Sequence, residues 1–292
     1  MLKQISLLIL CAAAIVCFAT PVQACTSAVV SGKVTPDGRP LLWKNRDTDF
    51  MQNHIDYVKG EKYNFIAVVN SANAYLKEAW MGTNSSGFAL MNTQSYNLVD
   101  VKGDEERGAA NGRVIYRALE VCATVEDFCH FLDTISKPSD IEANFGVIDA
   151  QGGAAMFEVD YYKYVMYDAN NPKDAPYGYI ARTNFSFAGK VNEGAGYVRY
   201  MEADQVLMKA SATGSITPQF IFNDLSRSFR NRMLDIDLRS GAYNRPQASG
   251  WFVDQDFIPR SSTSCSVVVQ GVKPGEKAEL TTMWTLLGYP PT

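Results

Sequence analysis

After an apolar run over residues 5–19, the chain breaks into short apolar segments bounded by turn residues, with two stretches of helical spacing between them. Residues 26–31 are β-prone, Pro36-Asp37-Gly38 has turn chemistry, and residues 40–45 resume an apolar segment, which together read as strand, turn, strand. Further strands are predicted at 63–70, 79–82 and 87–94, the last opened by Asn84-Ser85-Ser86-Gly87. Ile115, Leu119 and Cys122 fall on one face of a helix within residues 112–135. Thr124 with Asp127 has the form of a cap for a second helix, whose buried face carries Phe128, Phe131 and Leu132, and Pro138 closes the region. Strands return at 145–149, 154–159, 164–167 and 179–184, helices at 196–210 and 218–229, and strands at 264–270 and 279–285. That order is α+β, with helices segregated onto sheet faces.

The N-terminal run changes the compartment. Lys3 precedes it, Pro21 breaks it, and Val22-Gln23-Ala24 offers small residues for cleavage, the layout of a signal peptide. The alternative, a retained membrane anchor, meets a run that is short for a span. The expectation is therefore a signal peptide at 1–24, a single catalytic domain at 25–292, and an exported protein, periplasmic or extracellular.

Composition narrows the chemistry. A 47% hydrophobic fraction supports a substantial core, and a net charge of −4 with scattered arginines gives no footprint for nucleic acid. Of six cysteines, Cys11 and Cys17 leave with the signal, and Cys25, Cys122, Cys129 and Cys265 remain. Four are sparse for a disulfide scaffold, although a Cys122–Cys129 bond stays open. With no C-x-x-C and only His54 and His130, no metal site and no cofactor are expected. Asn84-Ser85-Ser86 and Asn184-Phe185-Ser186 match the short glycosylation pattern.

Cleavage after Ala24 makes Cys25 the first residue. Its thiol is then a nucleophile and its own α-amine a base, with ordinary pKa values of about 8.5 and about 7.7–8.0. Such a pair works without a catalytic histidine.

Cys25-Thr26-Ser27 heading a strand and hairpin, followed by Lys44-Asn45-Arg46-Asp47, resembles the N-terminal nucleophile (Ntn) hydrolases. The group is that of choloylglycine hydrolase and penicillin V acylase, with the acyl-coenzyme A:6-aminopenicillanic acid acyltransferases. Residues 87–92, the pair 144–150 and 154–158, Arg182-Thr183-Asn184 and Val198-Arg199-Tyr200 resemble the family's further motifs in order. The resemblance implies a four-layer αββα sandwich of two antiparallel sheets flanked by helices, and cleavage of linear amide C–N bonds through a thioester. It implies Cys25 as nucleophile, Asp47 orienting the α-ammonium, Asn92 donating to the oxyanion, and Asn184 positioning amine or substrate. Arg199 binds a carboxylate or braces the site. Lys44 stands where relatives usually carry arginine, a point charge without the planar fork. A second register puts Arg46 and Asp49 at those positions; Lys44 with Asp47 is preferred. Plainer roles stay open: strand-end turns for Asp47, Asn92 and Asn184, and a surface salt bridge for Arg199.

The expected partners are a small-molecule amide substrate and signal peptidase, with homo-oligomerisation left open. Hydrolysis is favoured over acyl transfer because an exported compartment supplies water. Two alternatives remain. Val22-Gln23-Ala24-Cys25 partly fits a lipobox, which would make a lipid-anchored binding or structural protein acylated at Cys25. A cysteine paired with His54 or His130 is the other, without a local signature.

Overall fold

The computed structural model describes residues 24–100, 108–240 and 254–292; the signal-peptide reading of residues 1–24 lies outside them apart from Ala24. In chain order the strands are β1 (Thr26–Val30), β2 (Leu41–Asp47), β3 (Asn53–Val58), β4 (Phe65–Asn70), β5 (Met81–Asn84) and β6 (Ala89–Gln94). Helices α1 (Asn111–Val121) and α2 (Val125–Thr134) follow, then β7 (Ala143–Ile148), β8 (Ala154–Val159), β9 (Tyr164–Asp168) and β10 (Tyr179–Arg182). Helix α3 (Tyr197–Ala212) leads to a π-helical turn at Ile221–Leu225, the short hairpin β11 (Arg230–Asn231) and β12 (Ile236–Asp237), and finally β13 (Thr263–Gln270) and β14 (Thr282–Leu287).

Strands β3 to β9 form a seven-stranded sheet in sequence order, and a five-stranded sheet runs β10-β1-β2-β13-β14. Every pairing in both is antiparallel. Both sheets are covered on both faces, so their central strands read as nearly continuous apolar runs. Leu42 of β2 packs between the sheets with Val29, Met91, Met156 and Val267. Its neighbours Leu41 and Trp43 point the other way, against Ala203 and Leu207 of α3 and Leu225. On the far side, Phe88, Phe145 and Phe157 meet Ile115, Leu119, Phe128 and Leu132 of α1 and α2. The layers are helix, sheet, sheet, helix, as the family resemblance implied.

The expected helix cap is present, and the strands depart from expectation in two places. Thr124 Oγ1 accepts from Asp127 N at 3.0 Å and Asp127 Oδ2 accepts from Thr124 N at 3.2 Å, a closed capping box. Cys122 and Cys129 are free thiols, and no disulfide joins them. Strand β3 went unread because it is a sheet edge whose apolar residues Ile55 and Tyr57 face outward. The last strand begins at Thr282, three residues later than expected, because Ala278–Leu280 forms a 3-10 turn.

Gly146 on β7 faces the other sheet with no room for a side chain. A Cβ there would stand 2.3 Å from Met91 Cε and 2.8 Å from both Leu42 Cδ1 and Val29 Cγ2. Gly146→Ala is expected to destabilise the protein by about 1–3 kcal/mol through overpacking, read as a lower denaturant midpoint at unchanged slope. An unchanged midpoint would mean the sheets have slack.

Candidate active site

The site forms where the two sheets end together. The register Thr26↔Asn45 between β1 and β2 sets Cys25 beside Arg46. On the other side of β2, β13 pairs Cys265 with Arg46 and Thr263 with Asp47, with a bulge between Thr263 and Cys265. Cys25, Lys44, Arg46 and Asp47 are thereby brought together by pairing alone, and all are buried. Cys25 is still joined to Ala24 in the described chain, and its Sγ lies 3.8 Å from the Asp47 main-chain oxygen.

Arg199 comes from the other direction. Gly196 caps α3 with φ +87°, and a Cβ there would fall 2.3 Å from Arg199 Nη2. The glycine lets the guanidinium fold back over the helix start. Arg199 Nη1 donates to the Cys25 carbonyl at 2.7 Å and to Thr26 Oγ1 at 2.8 Å, and Nη2 donates to Asn184 Oδ1 at 2.8 Å. Burial, and behind it Arg260, pulls the guanidinium down to about 10. With three acceptors it remains a cation at neutral pH. It is no surface ion pair.

Asn184 follows β10, and its Nδ2 donates to the Gln94 main-chain oxygen at 2.8 Å. Asn92 lies on β6, where its Oδ1 accepts from Lys44 Nζ at 3.0 Å. The carboxamide is thus oriented with Nδ2 as its donating end. Lys44 Nζ also donates to the Trp80 carbonyl at 3.1 Å. Burial lowers the Lys44 ammonium below its ordinary value, opposed chiefly by Cys25. Arg46 fills a different role from Lys44: it lies 4.8 Å from the Trp80 ring centre, bonds Asn53 Oδ1, and donates to Asn70 Oδ1 at 2.7 Å.

Asp47 is held by residues that sequence reasoning missed. Its Oδ2 accepts from Arg260 Nε at 3.0 Å and its Oδ1 from Thr263 Oγ1 at 2.6 Å. Burial raises the carboxyl above its usual range, with Arg260 the strongest opposing influence. With Ala24 in place, these contacts are the partners of the carboxylate. The only local signal for Arg260 is a lone arginine just ahead of an apolar strand; its proximity to Asp47 depends on β13 pairing with β2, over 200 residues away in sequence.

Among the described residues, no carboxylate lies within salt-bridge reach of Lys44, Arg46 or Arg199, and the only ion pair in the cluster is Asp47 with Arg260. Three buried cations therefore rest on neutral acceptors. The arrangement stabilises negative charge that develops among them.

Cys122 and Cys129 lie away from the site, whereas Cys265 sits beside Arg46. Burial pushes the Cys122 thiol up to about 12 and raises that of Cys265, leaving both poor nucleophiles near neutral pH. His54 bonds Ser71 and His130 lies exposed beside Glu126, and neither hydrogen bonds a cysteine among the described residues. Both glycosylation patterns are buried: Asn84 Nδ2 donates to the Leu119 and Cys122 carbonyls at 2.9 and 2.8 Å, and Asn184 sits inside the site.

Among solved structures, the chain is similar to a Caenorhabditis elegans N-acylethanolamine-hydrolyzing acid amidase ortholog. The identity is 13%, over 89% of this chain and 99% of that one, with a TM-score of 0.50. A mutant conjugated bile acid hydrolase from Clostridium perfringens matches at 14% identity over 90% and 96% of the two chains, TM-score 0.45. Penicillin V acylase from Agrobacterium tumefaciens matches at 16% over 90% and 82%, TM-score 0.44. No curated protein matches the sequence. The family model described as acyl-coenzyme A:6-aminopenicillanic acid acyl-transferase matches residues 34–211, well over half of the chain. With the αββα sandwich already built from its own residues, this chain belongs to the acyl-coenzyme A:6-aminopenicillanic acid acyl-transferase family of Ntn-fold enzymes.

Proposed function

We propose that the protein is an exported hydrolase of N-acyl amines, cutting linear amide bonds with Cys25 as the nucleophile at the mature N-terminus. The observation that carries this reading is the placement of one cysteine at the head of β1, with its carbonyl held by Arg199 and a pre-oriented Asn92 amide on the opposite sheet. Removal of residues 1–24 frees the α-amine. The thiol then gives its proton to that amine as sulfur attacks the amide carbonyl. Asn92 Nδ2 donates to the tetrahedral oxyanion, whose charge the surrounding cations favour. The C–N bond breaks, the leaving amine takes the proton, and a thioester remains on Cys25. Water, deprotonated by the same amine, attacks the thioester and releases the acid and the thiol.

Lys44 acts in this scheme through Asn92. An ammonium 3.0 Å from Oδ1 draws density from the carboxamide and makes its N–H groups stronger donors. It also fixes which end of the amide faces the reaction. A free amine as acceptor in place of water gives acyl transfer from the same thioester; the exported setting favours water.

Cys25→Ser is expected to abolish turnover of a panel of N-acylethanolamines, conjugated bile acids and penicillin V, with the circular dichroism spectrum unchanged. Turnover at the wild-type rate removes Cys25 as nucleophile. Asn92→Ala should cost about 10²–10³ in kcat, while a loss under threefold rejects the oxyanion role.

The pH dependence follows from Lys44. Its depressed value sets a falling alkaline limb of kcat/KM below the ordinary 10.5, as the ammonium is lost from Asn92. The folded value lies below the unfolded one, so between them the unfolded chain binds more protons and stability rises with pH. Lys44 itself therefore does not destabilise the fold there, and a thermal midpoint measured at the same pH separates its loss from unfolding. Lys44→Arg should move the limb to higher pH; a limb that stays in place excludes Lys44 as its source.

A further inference from the structure

The segment after β10 is held from one side by a buried polar pair that the scheme above does not use. Asn144 on β7 and Glu158 on β8 stand directly opposite in register. Asn144 Nδ2 donates to the carbonyls of Thr183 and Phe185, each at 3.2 Å, and its Oδ1 accepts from Ser186 Oγ at 2.6 Å. The Glu158 carboxylate, fully buried, accepts from Arg182 Nε at 2.6 Å, Phe187 N at 2.9 Å and Ala188 N at 2.7 Å. The Arg182 guanidinium lies over the Phe187 ring at 4.0 Å and near the Tyr167 ring at 5.1 Å.

A carboxylate taken out of water is costly unless its lone pairs are filled, and here the three donors come from one stretch of chain, residues 182–188. That stretch carries Asn184. From Asn184 the bonds run on to Arg199 and from Arg199 to the Cys25 carbonyl. Asn184 thus lies between the Asn144–Glu158 pair in one sheet and Cys25 at the head of β1 in the other. Loops that carry site residues are ordinarily the more mobile parts of a fold; this one is tied by the pair at the carbonyls of Thr183 and Phe185 and the amides of Phe187 and Ala188, beside the Asn184–Ala195 bridge and the bonds of Asn97 to Ser186.

We propose that Glu158 and Asn144 are positioning residues for amide cleavage, a clamp that sets Asn184 and, through Arg199, the orientation of Cys25. The proposal rests on Cys25 being the nucleophile. Arg182 completes the clamp by neutralising Glu158 and fixing the Phe187 ring.

The test compares wild type, Cys25→Ser and Glu158→Gln on one N-acyl amide substrate, well below each protein's thermal midpoint. Glu158→Gln is expected to lower kcat at least tenfold with KM within threefold. The pH profile of Cys25 alkylation by iodoacetamide should stay at wild type, since the sulfur itself is untouched. A folded Glu158→Gln with a lower thermal midpoint but kcat within twofold of wild type assigns the pair to stability alone and overturns the clamp. If Glu158→Gln does not fold, Arg182→Lys reads the same device, keeping the charge but losing the planar stack on Phe187. A fivefold fall in its kcat supports the clamp and an unchanged kcat overturns it. Turnover by Cys25→Ser overturns the nucleophile reading instead, so the two failures are distinguishable.

Discussion

Four cations and one carboxylate are packed into the dry end of a β-sandwich around the sulfur of Cys25, with Cys265 beside Arg46, and the rest of the site is arranged to make that tolerable. Arg260 neutralises Asp47, but Lys44, Arg46 and Arg199 are carried by carbonyls, hydroxyls and carboxamides. Burying charge without a counter-charge is unfavourable, and a fold retains it where something negative forms in the course of its work. A tetrahedral oxyanion is such a species. The excess of positive charge is the physical link between the sheets and the proposed chemistry.

The sandwich supplies the rigidity that such a cluster needs. Because both sheets are covered on both faces, neither can slide or twist without opening a packed layer, and Gly146 marks how closely they approach. Each charged group is then fixed by main-chain geometry. Lys44 and Arg46 are set by the pairing of β2 with β1 and β13, Arg199 by the glycine cap of α3, and Asn92 by the pairing of β6 with β7.

Much of this was legible in the residues and some was not. The capping box at Thr124 and the central strands were visible because their signals are local: an oxygen three residues from a backbone amide, or an apolar run between turns. Strand β3 was hidden because an edge with an inverted pattern shows no inward apolar face. The cysteine, Lys44, Asp47, Asn92, Asn184 and Arg199 were singled out through ordered motifs, and the structure gathers them at one end. The partners that complete them were not found. Arg260 meets Asp47, and Asn144 and Glu158 meet the segment 182–188, only because distant strands pair, and single-sequence spacing holds no record of pairing. Lys44 was legible as a point charge, but its hydrogen bond to Asn92 was not, because β2 and β6 lie in different sheets.

The central claim is that one residue supplies both sulfur and base, and it is tested most directly by protein mass spectrometry. The purified mature protein, quenched in acid during turnover of an N-acyl amide, is read for its N-terminal residue and for the site of any added acyl group. The account predicts a chain beginning at Cys25 with a free amine, and the acyl mass on that residue as a hydroxylamine-sensitive thioester. A chain that begins elsewhere, a blocked amine before substrate is added, or an acyl group on another side chain contradicts it.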